Sequence, residues 1–436
     1  MAKVPSPLLQ QRPFRMLQYT RFSSRVAQNA LNFALLLLIV DQTGRAFLSS
    51  LLVLALVVPS TVAGIAGGAA ADSFPKRLLI VTGDLLRAVI CVAFLFGPGN
   101  VASYYLVAVG LAAATQIASS AEGAIMPAIV SRPDLARGNA IGHAVGGVAQ
   151  IIGFGVLTPL ILRVFGNEDI LFGIATVLFV LAAFQAIAIG RVPSIERREV
   201  GGNDAGPWWL VGWVEMRRDR RVFLAALQLT LISAALIILG GLVPKYIQDV
   251  LGLPVDIGVL ILMPAAIGVV LGLRVAGFLA HRVSHAALST FGFVSFVVLL
   301  AMLTFVDVEA DFLSGYGVFA WLGSIQLGNF DGGGVLAMVV VMPLGFAYAT
   351  VAVSGQTVLN DNVPLHLQGR VLATQGAMTA IASSAPVLLA GALSDWIGVV
   401  PVMAMLAVGI GVAAVATMRD SRVAGLYERS VPRSLH

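Results

Sequence analysis

The chain has 436 residues, of which 58% are hydrophobic and only 11% charged, and its mean hydropathy is +0.93. A soluble globular domain is about 45–50% apolar and about 25% charged, so this composition excludes an ordinary soluble protein and indicates a chain that crosses a membrane many times. The net charge of +5 comes from short basic clusters between apolar runs, without a basic domain or interleaved aromatic residues, which argues against nucleic acid as a partner.

Twelve apolar runs are long enough, at about 20 residues each, to cross a bilayer as α-helices. In chain order, the predicted spans 1 to 12 cover residues 22–41, 46–70, 78–98, 102–129, 139–163, 170–190, 222–246, 257–280, 286–306, 334–358, 370–394 and 398–418. Because lipid offers the backbone no hydrogen-bond partners, each span must satisfy its own peptide groups as a helix. The predicted fold class is therefore an all-α polytopic membrane protein, and we expect a monomer in the cell (inner) membrane.

The basic residues indicate which side of the membrane holds the termini. An even number of spans puts both termini on one side, and only Arg45, Arg163 and Lys245 of the 27 basic residues fall in the connections on the opposite side. Since cytoplasmic connections carry the excess of lysine and arginine, both termini are predicted to be cytoplasmic. The first 20 residues carry Lys3, Arg12 and Arg15 without a short apolar core or an evident cleavage site, so no cleavable signal is predicted.

Residues 191–221 interrupt the apolar pattern with charged and glycine-rich sequence. We interpret this segment as a cytoplasmic linker between an N-terminal six-helix bundle, residues 1–190, and a C-terminal bundle with a cytoplasmic tail, residues 222–436. Trp208, Trp209 and Trp213 lie near arginines, which predicts an amphipathic helix at the inner interface. Similar residues recur after spans 2 and 8 and before spans 5 and 11, so the two bundles are predicted to be pseudosymmetric repeats. Residues 307–333 are predicted to form an external loop.

No constellation of catalytic residues is found in the sequence. The five histidines, at positions 143, 281, 285, 366 and 436, show no metal-ligand spacing and no serine–acid partners, and there is no phosphate-binding loop. The single cysteine, Cys91, excludes an internal disulfide and a cysteine-based metal site. We therefore predict no enzyme activity, no metal and no cofactor, and expect the proton gradient to supply the work of transport.

Charged residues inside predicted spans each cost about 2.5–3.5 kcal/mol on insertion scales, and four of them lie well within spans near the inner face. They are Asp84, Arg87, Glu122 and Arg274. In one interpretation Asp84 or Glu122 carries a proton, with Asp41 as a further candidate. In the other, the four residues join an inner-side salt-bridge network that closes a cytoplasmic gate. The further members of that network are Asp72, Arg77 and Arg370.

Span 1 carries a polar stripe at helical spacing, formed by Arg21, Arg25, Gln28, Asn29 and Asn32. Because such a stripe is costly against lipid, it should face a cavity or a neighbouring helix. Candidate cavity residues across the chain are Arg25, Asn29, Asn32, Gln116, His143, Gln150, Gln228, Tyr348 and Gln375. The alternative is that these residues only make hydrogen bonds between helices. A cavity lined this way would have few fixed charges and would suit amphipathic or lipophilic substrates.

A short connection between spans 2 and 3 holds the most informative motif. Its sequence, from Gly67 to Arg77, packs Gly68, Asp72, Lys76 and Arg77 around Pro75. It resembles the signature of the major facilitator superfamily, although Ser73 stands where that signature has arginine. The resemblance implies a gate role for these four motif residues, a two-bundle fold and a central site served by alternating access.

Further motifs are similar to the drug:proton antiporter-3 branch of that family, which includes macrolide-efflux, enterobactin-exporter and lysophospholipid-transporter proteins. They are Gln28-Asn29-Ala30-Leu31, Gly83-Asp84-Leu-Leu-Arg87-Ala88, Arg137-Gly138-Asn139-Ala140, Gln368-Gly369-Arg370-Val371 and Gly391-Ala-Leu-Ser-Asp395-Trp-Ile-Gly398. We therefore expect a secondary active transporter that exports amphipathic or hydrophobic small molecules. A lipid or lysophospholipid transporter is the alternative within transport. An uncoupled facilitator or a non-transporting membrane receptor is the alternative outside it.

Overall fold

The computed structural model describes residues 8–130, 134–190, 208–254, 259–279, 285–314 and 332–430, and within them the chain is helical without strands. The helices are α1 (Arg12–Thr43), α2 (Ala46–Ser73), α3 (Lys76–Leu95), α4 (Val101–Ile129), α5 (Leu135–Gln150), α6 (Thr158–Phe165), α7 (Glu168–Ile187), α8 (Trp208–Arg218), α9 (Arg220–Asp249), α10 (Met263–Leu279), α11 (His285–Thr304), α12 (Val306–Ser314), α13 (Gly332–Asn362), α14 (Leu365–Ile397) and α15 (Val399–Ser430). The predicted all-α class is confirmed.

Eleven stretches of helix in the described part of the chain are long and apolar enough to cross a membrane. The predicted span 257–280 differs from the others, because a 3-10 turn at Val259–Leu262 precedes α10 and the apolar stretch of that helix covers only Met263–Ala276. Several helices run beyond their apolar cores: α1 begins at Arg12 and α15 continues to Ser430. Apolar runs therefore located the helices but not their ends.

The external connection predicted for residues 307–333 is partly helical. Residues Val306–Ser314 form α12, and α13 begins at Gly332, inside the predicted loop. Residues 315–331 lie outside the described residues. Glycine favours loops in isolation, whereas Gly333 and Gly334 are buried here by packing within a helix.

The chain divides into two compact units. The first comprises residues 1–44 and 51–199, and the second comprises residues 45–50 and 200–436. In the first unit α1 is the central helix and packs against α4, α5, α6 and α7, while α3 packs against α4 and α7. The central position explains why α1 can carry so many polar side chains: most of its surface faces other helices instead of lipid.

Helix α3 shows how one helix serves two surroundings. Asp84 and Arg87 are buried, whereas Leu85, Leu86 and Val89 on its other face are exposed. In a soluble protein that distribution would be inverted, because exposed leucine and valine lose the benefit of burial. Against lipid it costs nothing, so the exposed apolar face is the membrane-facing side.

In the second unit α13 packs against α10 and α11, and α9 packs against α14. Glycines bring α10 and α13 into backbone contact: a Cβ at Gly268 would overlap the carbonyl of Met342, and a Cβ at Gly345 would overlap that of Ala265. Small residues drive such close approach between membrane helices.

Helix α8, which falls in the predicted linker, packs on α14. Its Gly212 is buried and lies so close to α14 that a Cβ there would be 2.7 Å from the Arg370 carbonyl oxygen. Met216 one turn later is fully buried as well. One face of this helix is therefore covered by protein, and its placement at the membrane interface stays a prediction.

Between α5 and α6 the helix widens into a π-helical segment at Ile151–Leu157. The cause lies in the packing against α1, because a Cβ at Gly153 would come within 2.5 Å of the Val26 carbonyl oxygen. The Thr158 hydroxyl donates to the carbonyl of Ala30 on α1 at 2.9 Å. Glycine thus lets the two backbones touch, and the threonine anchors the end of the widened segment.

A side chain of the second unit caps the N-terminus of α2. The backbone N–H groups of Ala46 and Phe47 donate to the two carboxylate oxygens of Asp395 at 2.8 and 2.9 Å. Lys245 Nζ donates to the same carboxylate at 2.8 Å. This Asp395 cap satisfies two N–H groups that have no partner within their own helix. The adjacent Ser50 lies against glycines of α9 and α14, where no side chain would fit.

Candidate functional site

The first unit contains a polar cavity of about 300 Å³ among α1, α3 and α4. Its lining residues are Ser24, Arg25, Gln28, Asn29, Arg87, Thr115, Gln116, Ala118, Ser119 and Glu122. The volume is at the lower end of the range for ligand sites, about 300–1,000 Å³. Polar side chains dominate the lining, which is unusual for ligand sites and indicates that a ligand here would be held by hydrogen bonds and charge.

The carboxylate of Glu122 on the cavity wall forms an ion pair with Arg21 of α1. Arg21 Nε lies 3.1 Å from Glu122 Oε2, and Arg21 Nη2 donates to the Glu122 carbonyl oxygen at 3.1 Å. The two side chains are only 12% and 7% exposed. In such surroundings, removing one partner would leave the other charge buried and uncompensated.

A second ion pair joins Arg87, which lines the cavity, to Asp84 behind it. Arg87 Nη2 lies 2.5 Å from Asp84 Oδ1, and Arg87 Nε donates to the Gly83 carbonyl at 3.3 Å. The guanidinium also stacks over the ring of Phe179, 4.8 Å from its centroid. Three contacts therefore fix Arg87, while Asp84 is fully buried and is not part of the cavity lining.

Arg25 is the remaining charged group of the cavity. Its side chain is exposed to the cavity, and among the described residues it makes no hydrogen bond or ion pair. Three guanidinium groups, those of Arg21, Arg25 and Arg87, thus face the two carboxylates of Asp84 and Glu122. One positive charge is left over.

Glycines of α5 make room for two of these arginines. A Cβ at Gly142 would lie 2.7 Å from Arg21 Nη1, and one at Gly146 would lie 3.7 Å from Arg25 Cδ. These glycines are four residues apart and so lie on the same face of α5. The two arginines lie over a strip of α5 backbone that has no side chains.

The neutral part of the lining is fixed by hydrogen bonds between α1 and α4. Thr115 donates to the Gln28 side-chain oxygen at 2.6 Å, and the Gln28 amide donates to Asn32 at 2.8 Å. Both polar ends of Gln28 are thereby used. Asn29 and Gln116 remain on the wall with Arg25, so three of the predicted cavity residues do come together.

The other predicted cavity residues have different surroundings. Asn32 bonds Gln28 and stays outside the lining, and Gln150 is exposed on the surface of α5. In the second unit, Gln228 accepts a hydrogen bond from Ser289 at 2.6 Å and Gln375 donates to Thr379 at 3.2 Å on its own helix. These two fit the alternative of bonds within and between helices. Tyr348 is half-buried on α13.

In the described part of the chain, members of the predicted inner-side network make separate contacts, and the network as a whole stays a prediction. Asp84 pairs with Arg87 as the spacing allowed, but Glu122 pairs with Arg21, and Arg77 donates to the Gly190 carbonyl at 3.1 Å. Arg274 is exposed without an ion pair in the part of the chain that the structure describes. The described acids are used in separate pairs because each has a nearer arginine.

The remaining sites of the prediction are placed as follows. Lys76 is half-buried at the start of α3, Arg370 is half-buried on α14, and Asp41 is exposed near the end of α1. The surroundings of Gly68 and the side chains of Asp72 and His143 lie outside the described residues. No group of three or more histidine, cysteine or acidic side chains in the described ranges could hold a metal ion.

Sequence reasoning missed the partner of Glu122 and the cation–π contact of Phe179. Arg21 was visible as part of the polar stripe of α1, but its partner lies 101 residues away and no spacing rule connects the two. Thr115 was missed because a threonine inside an apolar run gives no signal of its own. The usable signal for the partner of Glu122 was the combination of this unpaired acid on α4 with the two arginines, Arg21 and Arg25, on α1.

Comparison with known proteins gives a consistent result. A sequence model described as the Major Facilitator Superfamily matches residues 19–384. A crystal structure of a mutant of the nucleoside transporter NupG superposes with a TM-score of 0.73 at 13% identity, covering 93% of this chain and 99% of that one. No curated protein matches the sequence significantly.

Two further solved structures are similar. A bacterial homolog of the human lysosomal transporter Spinster gives a TM-score of 0.69 at 12% identity, with 94% and 98% of the two chains covered. A bacterial homologue of the iron transporter ferroportin gives 0.66 at 13% identity, with 94% and 99% covered. At these identities the likeness concerns the fold alone.

Proposed function

Because the chain belongs to the major facilitator superfamily, and so is a membrane transporter and not an enzyme, we propose that it exports amphipathic or hydrophobic small molecules by proton-coupled alternating access. The motifs similar to the drug:proton antiporter-3 branch support export. The basic excess in one set of connections supports a cell-membrane location with cytoplasmic termini. The fold's two-unit organisation is the usual basis of alternating access in transporters of this kind.

The observation that carries the proposal is the polar cavity in a unit whose outer surface is apolar. A membrane protein gains nothing from a polar cavity of about 300 Å³ unless something enters it, because each polar group there costs free energy of insertion. The hydrogen-bonding groups that α1, α3 and α4 place around this cavity suit the polar head of an amphipathic ligand. Lipid or lysophospholipid movement remains the second candidate, since such molecules share that design.

Among the three acids considered for coupling, we propose Glu122. It lies on the cavity wall, where a proton can reach it, and it holds Arg21 of a different helix. Protonation would remove its charge and weaken that ion pair, so the link between α1 and α4 would loosen. Asp84 is sealed behind Arg87, and Asp41 is exposed outside the cavity.

Proteoliposomes loaded with fluorescent amphiphiles test the function directly. The panel holds a neutral, an anionic and a cationic dye and a short-chain lysophospholipid carrying a dye. Antiport predicts that an imposed pH gradient drives dye against the direction of proton flow. Dye and proton moving the same way would overturn antiport. Flux that ignores the gradient would indicate a facilitator, and no flux for any dye would indicate a receptor.

The coupling residue is tested in the same vesicles. Glu122→Gln should reduce the dye flux driven by the pH gradient at least tenfold, while passive exchange of dye persists. Asp249→Asn is the matched control, because Asp249 is an exposed acid at the end of α9, distant in sequence from the cavity residues. If Glu122→Gln keeps the full response to the gradient, the coupling proposal is wrong.

A further inference from the structure

We infer that the cavity binds an acidic head group, a sulfonate, phosphate or carboxylate, through Arg25. The inference rests on the proposed transport function and adds a substrate class to it. The sequence alone suggested a nearly neutral cavity. The structure differs, because a cationic side chain opens into the cavity without a counter-ion among the described residues.

The other charged groups at the cavity are already paired. Arg21 is held by Glu122 and Arg87 by Asp84, in pairs whose side chains are at most 12% exposed. Neither acid can turn to Arg25 without releasing its own arginine. The positive excess of the cavity is therefore located at Arg25.

The excess positive charge at Arg25 costs free energy when the cavity is empty. A charge inside a span is costly on insertion scales, and Arg25 also faces the like charges of Arg21 and Arg87. A structural role does not explain the cost, since the guanidinium makes no protein hydrogen bond among the described residues. An anionic ligand would offset it, and the planar guanidinium suits sulfonate, phosphate and carboxylate groups in a two-point contact.

Neighbouring cavity residues can complete the contact between the Arg25 guanidinium and an acidic group. Asn29 and Gln116 line the same cavity and carry amide N–H donors, and Ser24 and Ser119 add hydroxyls. Gly146 of α5 lies beside the Arg25 side chain and adds no side chain of its own to the cavity. An anion would therefore meet one charged and several neutral donors. An acidic head group also fits export, because a membrane potential that is negative inside favours the exit of an anion.

Binding is measured without transport, on the purified chain in nanodiscs of zwitterionic lipid. The probes are naphthalene-2-sulfonate, 2-naphthol and a naphthyl trimethylammonium salt, which share a ring system and differ in charge. The sulfonate should bind at least tenfold more tightly than the ammonium compound. Arg25→Gln should weaken sulfonate binding at least tenfold and naphthol binding no more than about twofold.

Two variants make the result specific. Arg25→Lys keeps the charge and loses the two-point geometry, so it should recover part of the sulfonate affinity. Arg163→Gln removes an exposed arginine at the end of α6 and should leave all three affinities unchanged. Equal sulfonate affinity in wild type and Arg25→Gln, or a preference for the ammonium compound, would overturn the inference.

The acidic group could belong to a free solute or to a lipid head group, and nanodisc composition separates the two sources. If anionic lipid enters the site, adding it should lower the apparent sulfonate affinity in wild type but not in Arg25→Gln. If the site takes solutes only, lipid composition should have no effect. Both results support the anionic subsite. Flux of neutral dyes without sulfonate binding would leave the transport proposal standing and this inference refuted, whereas sulfonate binding without flux would do the reverse.

Discussion

Replacing Asp395 by alanine should destabilise the protein by about 1–3 kcal/mol. The carboxylate accepts two backbone N–H groups from the first turn of α2, and losing a helix cap of this type costs about 0.5–2 kcal/mol. It also pairs with Lys245 at 2.8 Å, and since the two side chains are 18% and 25% exposed, that pair is worth only about 0.5–1 kcal/mol. The free energy of unfolding in mild detergent, followed by tryptophan fluorescence, measures the loss.

A double-mutant cycle separates the two contributions. Lys245→Met should cost about 0.5–1 kcal/mol alone and almost nothing in the background of Asp395→Ala, because the lysine has then lost its partner. Asp249→Asn is again the control and should stay within about 0.5 kcal/mol of wild type. If Asp395→Ala is as mild as that control, or if the two losses simply add, the contacts seen at this carboxylate do not hold the first turn of α2.

Two further predictions concern packing and pH. Gly268→Ala should lower the free energy of unfolding by about 1–3 kcal/mol, because its Cβ would overlap the Met342 carbonyl. Gly240→Ala is the control: it has no atom within 4 Å of the new Cβ, so it should be neutral or gain up to about 1 kcal/mol from helix propensity. Similar unfolding curves for the two variants would contradict the close packing of α10 and α13. Burial raises the pKa of Glu309 on α12 above its usual value, so the folded state binds more protons and stability falls as pH rises through that pKa. Glu309→Gln should therefore gain stability relative to wild type between pH 4 and pH 7, and a difference that is independent of pH would contradict this.

The helical architecture could be predicted because lipid leaves few choices. An apolar run of about 20 residues must form a helix, and the run itself marks the place. The Asp84–Arg87 pair was also predictable, since residues three apart on a helix are neighbours. Helix ends were not, because capping residues and polar extensions such as the start of α1 carry no hydropathy signal.

The arrangement of the cavity charges could not be predicted from the sequence. The arginine that pairs with Glu122 depends on how α1 and α4 are rotated about their axes. That rotation is set by the packing of all neighbouring helices. The same holds for Asp395, because the sequence shows it only within the motif from Gly391 to Gly398 and does not show its two backbone donors. Gly212 did carry a signal, because glycine inside a charged helix suggests close contact with another backbone.

The widened turn at Ile151–Leu157 separates two parts of one continuous helical rod. On one side Thr158 ties the rod to α1, and on the other Gly142 and Gly146 lie beneath the arginines. Each residue of an ordinary α-helix turns the chain by about 100°. If the segment tightened to that geometry while Thr158 stayed fixed, the glycine strip would swing away and a bulkier face of α5 would meet Arg21 and Arg25. A change in winding at one place could thus push both guanidinium groups toward the space that a solute occupies.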